Sequence, residues 1–469
     1  MKVKLYKHQE NILALSKSMP NLGLFWEMGT GKTLAAIEIL KQKTKEHKRP
    51  LRVLIFSPLV TLRNWESEIQ KFSTIKNVWC LDQSGKKRTE NLLAATCEEG
   101  VILINYEALR SIDVIEILHN YKADFLICDE SHKLKNPSSK QAKIVYGLSR
   151  EIPYKLLLTG TPILNNSMDI FMQYKILDGG ETFGKNFFSF RAKYFYDKNA
   201  NMPRNVHFPK WIPNELNNKD LQFLIKRKSD RILKKDCLDL PPLIKHKYFV
   251  DLSGEQQRAY KSMAKDFIAF IKSAKTQKIE ASVAQLAVTK LLRLQQIVSG
   301  FLKTAEGEEH LFKDTPREKA LEEMLLSLTP NNKVIVWTTF KADVRIAQNI
   351  CKRNNIKYSL LTGEQNGPAK QRSIDDFTSS SEIRVIIANR KAGGIGVNLV
   401  EAKYSINFSR DFSLESELQS EARNYRGGSE QHDSIIKIDL IAKGTIDEEV
   451  QQALEQKQTI SDIILDLKI

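Results

Sequence analysis

Short aliphatic runs recur along this chain, and helix-length amphipathic stretches separate them. RVLIFSP (52–58), VILIN (101–105), DFLICDE (124–130) and KLLLTG (155–160) form one set. KVIVWTT (333–339), RVIIAN (384–389), YSINFS (404–409) and IIKIDL (435–440) form another. Runs this short, without strict polar alternation, read as strands of a parallel sheet buried on both faces. The stretches LAAIEILKQKT after Thr33 and KADVRIAQNICKRN after Phe340 carry the helical spacing that crossovers between parallel strands require. The expectation is an α/β fold with two mainly parallel sheets flanked by helices. Between the two sets the pattern changes. Asn186 to Pro213 is rich in Phe, Tyr, Lys and Asn with no clean strand, and Gly254 to Gly300 reads as long helix. Leu240-Pro241-Pro242 interrupts any helix, which places a boundary near Pro242 and divides the chain into 1–242 and 243–469.

The 469 residues suffice for two or three such units without a disulfide or metal staple. Lysine and arginine number 72 against 56 acidic residues, a net charge of +16 that attracts polyanions, nucleic acid first among them. The five cysteines contain no CxxC pair, which argues against a zinc ribbon or disulfide framework and for a reducing compartment. No apolar run approaches the roughly 18 residues of a membrane span. MKVKLYKHQE has no signal-peptide core, so an intracellular protein without membrane contact is expected.

The local chemistry begins with EMGTGKT (27–33). Gly29 and Gly31 let the backbone wrap a phosphate, Lys32 can reach the β- and γ-phosphates, and Thr33 can hold Mg²⁺ at a helix N-terminus. The longer phosphate-loop pattern would place glycine where Trp26 stands, so the match is to GxGKT. DFLICDESH then ends an apolar strand on Asp129 and Glu130. In an NTPase, the first carboxylate would hold Mg²⁺ and the second would orient and deprotonate the attacking water. KLLLTGTP delivers Thr159, Gly160 and Thr161, whose small polar groups can sense phosphate. ANRKAGGIGVNL (388–399) is a glycine-rich loop after a strand. In QSEARNYRGG, Arg423 and Arg426 stand three apart, which on a helix would put both on one face as arginine fingers.

In this order, the motifs resemble the Snf-type (switch/sucrose-nonfermenting) ATPases of helicase superfamily 2 over nearly the whole chain. LYKHQ resembles that family's adenine-reading motif, with Gln9 as base reader; Met28 and Thr30 complete the ATP loop. FSPLVTLRNWESEI, INYEAL, DESHKLKN, LTGTPILNN, VIVWTTF and AGGIGVNL resemble successive family motifs. IKRKSDRILKKDCLDLPP resembles the segment joining its lobes, and LLRLQQI its LRLRQIC. The family's alanine in DEAH is Ser131 here, its RAHR histidine is Tyr425, and the motif's tail is Gly427-Gly428-Ser429. The resemblance implies two RecA-like lobes, with helical protrusions at about 165–242 and 254–300, and ATP with Mg²⁺ as cofactors. It implies coupling roles for His132, Thr159, Gly160, Thr161, Gly396 and Asn398. It places contacts to the double-stranded DNA backbone at Ser57, Pro58, Arg63, Asn105, Tyr106, Thr338, Lys391, Ala392 and Gly393. The basic run 226–235 either extends that footprint or forms a solvated face, and Trp65 reads as core packing. The implied activity is that of a monomeric, ATP-driven translocase on double-stranded DNA, a bare motor resembling compact bacterial or phage members and working in the cytoplasm. A strand-separating or branch-migrating helicase is the alternative. A non-hydrolysing DNA scaffold is the third reading, opposed by the intact Lys32, Glu130, Arg423 and Arg426.

Overall fold

A computed structural model describes residues 4–163, 167–201, 211–276, 280–303, 308–390, 397–411, 413–452 and 454–455. The chain forms two compact units, dividing between Asp239 and Leu240, just ahead of Pro242.

The first unit is built on a seven-stranded sheet. Its strands are β1 (Asn21–Leu24), β2 (Val53–Phe56), β3 (Val78–Leu81), β4 (Val101–Ile104), β5 (Phe125–Asp129), β6 (Tyr154–Leu158) and, after a short antiparallel pair β7 (Phe195–Asp197) and β8 (Trp211–Pro213), β9 (Ser229–Asp230). The order is β3-β4-β2-β5-β6-β1-β9, and every neighbour in the sheet is parallel. Alternate residues enter two cores: Leu54, Phe56, Ile102, Ile104, Leu126 and Cys128 on one face, Val53, Ile55, Val101, Leu103, Phe125 and Ile127 on the other. With both faces covered, the runs stay aliphatic throughout, and each buried side chain of this size contributes roughly 1.5–3 kcal/mol.

The second unit carries β10 (Leu243–Val250), a small antiparallel pair β11 (Phe301–Lys303) and β12 (Glu309–Leu311), then β13 (Lys333–Thr338), β14 (Tyr358–Leu361), β15 (Val385–Asn389), β16 (Ala402–Asn407) and β17 (Ile435–Ala442). Its sheet runs β10-β17-β16-β13-β15-β14, again wholly parallel. All eight aliphatic runs are therefore strands of the two expected parallel sheets. The long non-sheet stretch forms the helices Gly254–Thr276 and Glu280–Ser299.

Residues 165–242 are not helical throughout. Helices Ile170–Asp178, Phe187–Tyr194 and Glu215–Arg227 are interrupted by the β7–β8 pair, and β9 then returns to the main sheet beside β1. Two polar residues, Ser229 and Asp230, make that strand, so no apolar run announces it. No helix among the described residues is long and apolar enough to cross a membrane.

Candidate active site

In a parallel sheet the carboxyl ends of the strands share one edge, and ligands bind there. In the first unit that edge gathers the loops after β1, β5 and β6, whose strands stand close together in the sheet. The loop after β1 turns through Gly29 (φ 84°) and Gly31 (φ 86°) into α2 (Lys32–His47). A β-carbon on Gly31 would lie 2.4 Å from the Gln9 side-chain nitrogen, which itself donates to Gly31 O at 3.1 Å. Gly31 caps α2 without a side chain, leaving the first-turn amides to an anion. Buried Thr30 donates to Glu27 O at 2.8 Å, and His8 bonds Thr30 O at 2.9 Å. Lys32 Nζ donates to Trp26 O (2.8 Å) and Glu27 O (3.1 Å). Burial lowers its pKa to about 8, against the pull of the Glu130 and Asp129 carboxylates.

Asp129 ends β5. Its Oδ2 accepts from Ser57 Oγ (2.8 Å) and Trp65 Nε1 (2.9 Å), and its carbonyl accepts from Tyr106 OH (2.6 Å). Burial and then the neighbouring Glu130 raise its pKa, and the two neutral donors only partly offset them. Trp65 sits on α3 (Leu62–Phe72), where Leu62, Trp65 and Ile69 recur at helical spacing and bury together. It is core packing, as its sequence suggests, and also a carboxylate donor. A buried indole N–H needs an acceptor, and that was the available signal for this second role.

Glu130 sits in the left-handed region (φ 49°, ψ 50°), uncommon for a residue with a side chain. Its Oε2 accepts from Thr159 Oγ1 at 3.4 Å and lies 3.3 Å from His132 Nδ1, which also bonds Thr159 at 2.9 Å. Thr161 N donates to Thr159 Oγ1 (3.1 Å). Gly160 packs so tightly that a β-carbon there would lie 2.9 Å from Met28 Cγ. Gln173, which the sequence did not single out, accepts from Ser131 Oγ (2.8 Å) and donates to Pro162 O (2.8 Å). The structure thus brings together Gln9, the 28–33 loop, Asp129, Glu130, His132 and Thr159–Thr161.

The expected DNA contacts fall out differently. Ser57, Pro58, Asn105, Tyr106 and Thr338 are buried. The hydroxyls of Ser57 and Tyr106 serve Asp129, and that of Thr338 bonds Ala388 O at 3.1 Å. Among the described residues of this set, only Arg63 presents an exposed side chain to a polyanion, and it is paired with Asp82 (2.7 Å) and Glu66 (2.8 Å). Lys391, Ala392, Gly393 and Gly396 lie outside the described residues, and Asn398 is exposed.

In the second unit, the helix carrying Glu417 ends at Glu421, so Arg423 and Arg426 lie in the turn after it and share no helical face. Arg423 itself helps stop the helix. Its Nε takes the Gln419 carbonyl (2.8 Å), Nη1 takes Val397 O (3.2 Å), and its own carbonyl accepts from Leu399 N (2.9 Å). Arg426 is half-buried. Behind this turn, Glu417 receives Arg390 (2.7 Å), Arg410 (3.0 Å) and Lys437. Burial pushes its carboxyl up, but Lys437, Arg410 and Arg390 outweigh it and hold the pKa well below the usual range.

The family described as SNF2-related domain matches residues 7–300, well over half of the chain. The chain belongs to the SNF2-related family. Residues 316–428 match the helicase conserved C-terminal domain. An uncharacterized ATP-dependent helicase of Mycoplasma genitalium is 28% identical over 92% of this chain and 39% of its own length. The CHD3-type chromatin-remodeling factor CHR7 of Arabidopsis thaliana is 26% identical over 95% of this chain and 36% of its own length. The chain therefore spans about two-fifths of the length of these relatives. Among solved structures, the Sulfolobus solfataricus SWI2/SNF2 ATPase core in complex with dsDNA aligns over 100% of this chain and 94% of that chain, at 25% identity and a TM-score of 0.45. The family assignment rests on the sequence match.

Proposed function

We propose that this SNF2-related chain is a DNA-dependent ATPase that translocates on double-stranded DNA. One observation carries the reading: Asp129 and Glu130 at the end of β5, and Lys32 in the loop that follows β1, meet at one edge of a sheet in which only β6 separates the two strands. The residues fit ATP and Mg²⁺. Gly29 and Gly31 take the positive φ that a phosphate cradle requires, and the α2 N-terminus faces it with unclaimed first-turn amides. Asp129, raised in pKa among neutral donors, suits a cation. Mg²⁺ held by Thr33 and Asp129 would neutralise charge on the β- and γ-phosphate oxygens.

The chain's own residues do the rest. Gln9 reads the base and Lys32 holds the phosphates. Glu130 orients a water and takes its proton, and its own position is set by Thr159 and His132. The net charge of +16 supplies sequence-independent attraction to phosphate. The five free thiols fit the reducing cytoplasm we propose as its compartment.

The test is phosphate release with duplex DNA, single-stranded DNA, forks, four-way junctions and RNA, alongside triplex displacement. Strong duplex stimulation with triplex displacement and no strand release is expected. Release of a labelled strand or junction movement makes the chain a helicase instead, and RNA stimulating best contradicts the DNA assignment.

A further inference from the structure

The basic run 226–235 does not form one cationic face. Lys228 pairs with Glu181 (2.6 Å) and Asp178 (3.3 Å), while Lys234 is buried. Between them the backbone forms a strap along β1 and the phosphate loop. Gly23 N donates to Lys228 O (2.8 Å), Phe25 N to Asp230 O (2.9 Å) and Glu27 N to Ile232 O (2.8 Å). Trp26 Nε1 donates to Asp230 Oδ2 (2.6 Å), and Lys234 N to Glu27 Oε2 (2.8 Å). The tryptophan that stands where a longer phosphate loop would carry glycine is thus pinned by the strap.

Arg231 turns inward from this strap. Its Nη1 donates to Phe25 O (2.7 Å) and to Gly160 O (3.3 Å). Phe25 leads into the loop that ends on Lys32, whereas Gly160 follows the Thr159 that bonds Glu130. The sheet order β5-β6-β1 places the turn after β6 between the strand that precedes Glu130 and the strand that leads to Lys32. One guanidinium therefore joins the two halves of the proposed site, from Phe25 to Gly160 and through Thr159 to Glu130.

We propose that Arg231 is a positioning residue for hydrolysis, fixing Glu130 in register with the phosphate loop. The proposal rests on the ATPase reading above. A displacement of about 1 Å at a catalytic group can cost on the order of 100-fold in rate while leaving ground-state contacts in place. Arg231→Ala is therefore expected to lower kcat with duplex DNA by about 10- to 100-fold while the Kd for ATP stays within about threefold. Arg231→Lys, whose ammonium can still donate to both carbonyls, is expected to recover part of the loss. In a Thr159→Ala background, where the relay to Glu130 is already cut, Arg231→Ala is expected to cost less than about threefold further, because residues on one relay do not add. Thermal unfolding checks that each variant is folded. Should Arg231→Ala not fold, Arg231→Lys carries the test, with kcat reduced and Kd held. Equal losses in kcat and affinity, full additivity with Thr159→Ala, or unchanged kcat would each overturn the positioning role. If the unmodified chain shows no nucleic-acid-stimulated hydrolysis, the ATPase reading fails first and is recognised separately.

Discussion

Each unit buries a carboxylate beside its sheet, and the two are held in opposite ways. Asp129 in the first unit is bonded by a hydroxyl, an indole and the Glu130 amide, all neutral, and its pKa rises. Glu417 in the second is bonded by two arginines and a lysine, and its pKa falls far below the ordinary range. Removing charges from water is costly unless partners repay it. The second unit repays it internally, with Arg410 also reaching Asp439 (2.7 Å) and Lys437 reaching Glu421 (3.1 Å). A cluster of that kind fixes the helix that leads into Arg423. The first unit holds its carboxylate with geometry and leaves charge for an incoming cation. Preorganised charge of this sort belongs to a binding site, and compensated charge to a scaffold.

The same carboxylate-to-amide change should therefore act oppositely in the two places. Glu417→Gln removes the anion shared by Arg390, Arg410 and Lys437, leaving Arg410 to Asp439 and Lys437 to Glu421, and should cost about 3–5 kcal/mol in denaturant unfolding. Asp129→Asn, measured without Mg²⁺, should leave stability unchanged or slightly raised while removing hydrolysis. Equal destabilisation by the two would break the contrast. A smaller test lies in Asp343, a buried carboxyl in the second unit that lacks such an array of cations. Its Oδ2 accepts from Ser409 Oγ (2.5 Å) and Phe340 N (3.0 Å), yet burial pushes its pKa up to about 6. A carboxyl raised above its unfolded value near 3.8 binds more protons in the folded state between those pH values. Its contribution to stability therefore falls as pH rises from about 4 to 6, by about 3 kcal/mol, and is flat outside that window. The difference between wild type and Asp343→Asn across that range should show the slope. Smallest is Gly160→Ala. The new methyl meets Met28 at 2.9 Å, so a loss of about 1–2 kcal/mol with a larger fall in turnover is expected.

The eight strands were legible because burial on both faces leaves a mostly apolar run, interrupted by polar residues in β16 (AKYSIN) and β17 (IIKIDLIA). β1 and β10 lacked that mark. β1 is four residues containing Gly23, where a β-carbon would come 2.8 Å from Phe25 and 3.1 Å from Ser229. β10 is an edge strand, LIKHKYFV, mostly exposed and mixed in polarity. In the site, Lys32, Asp129 and Glu130 were readable because each stands in a contiguous motif at a strand end. Ser57 and Trp65 on Asp129, Arg231 on Gly160, and Gln173 on Ser131 join residues dozens of positions apart, and no local pattern carries such pairs. The spacing of Arg423 and Arg426 misled because it presupposed a helix, whereas the arginine side chain itself caps the helix early.

The account centres on Glu130 as the group that activates water at a nucleotide site held by Lys32. The direct measurement is ATP affinity and duplex-stimulated turnover for Glu130→Gln beside the unmodified chain. Retained binding, with turnover reduced on the order of 10³-fold, is the predicted result. Turnover within a few-fold of the unmodified chain would contradict it.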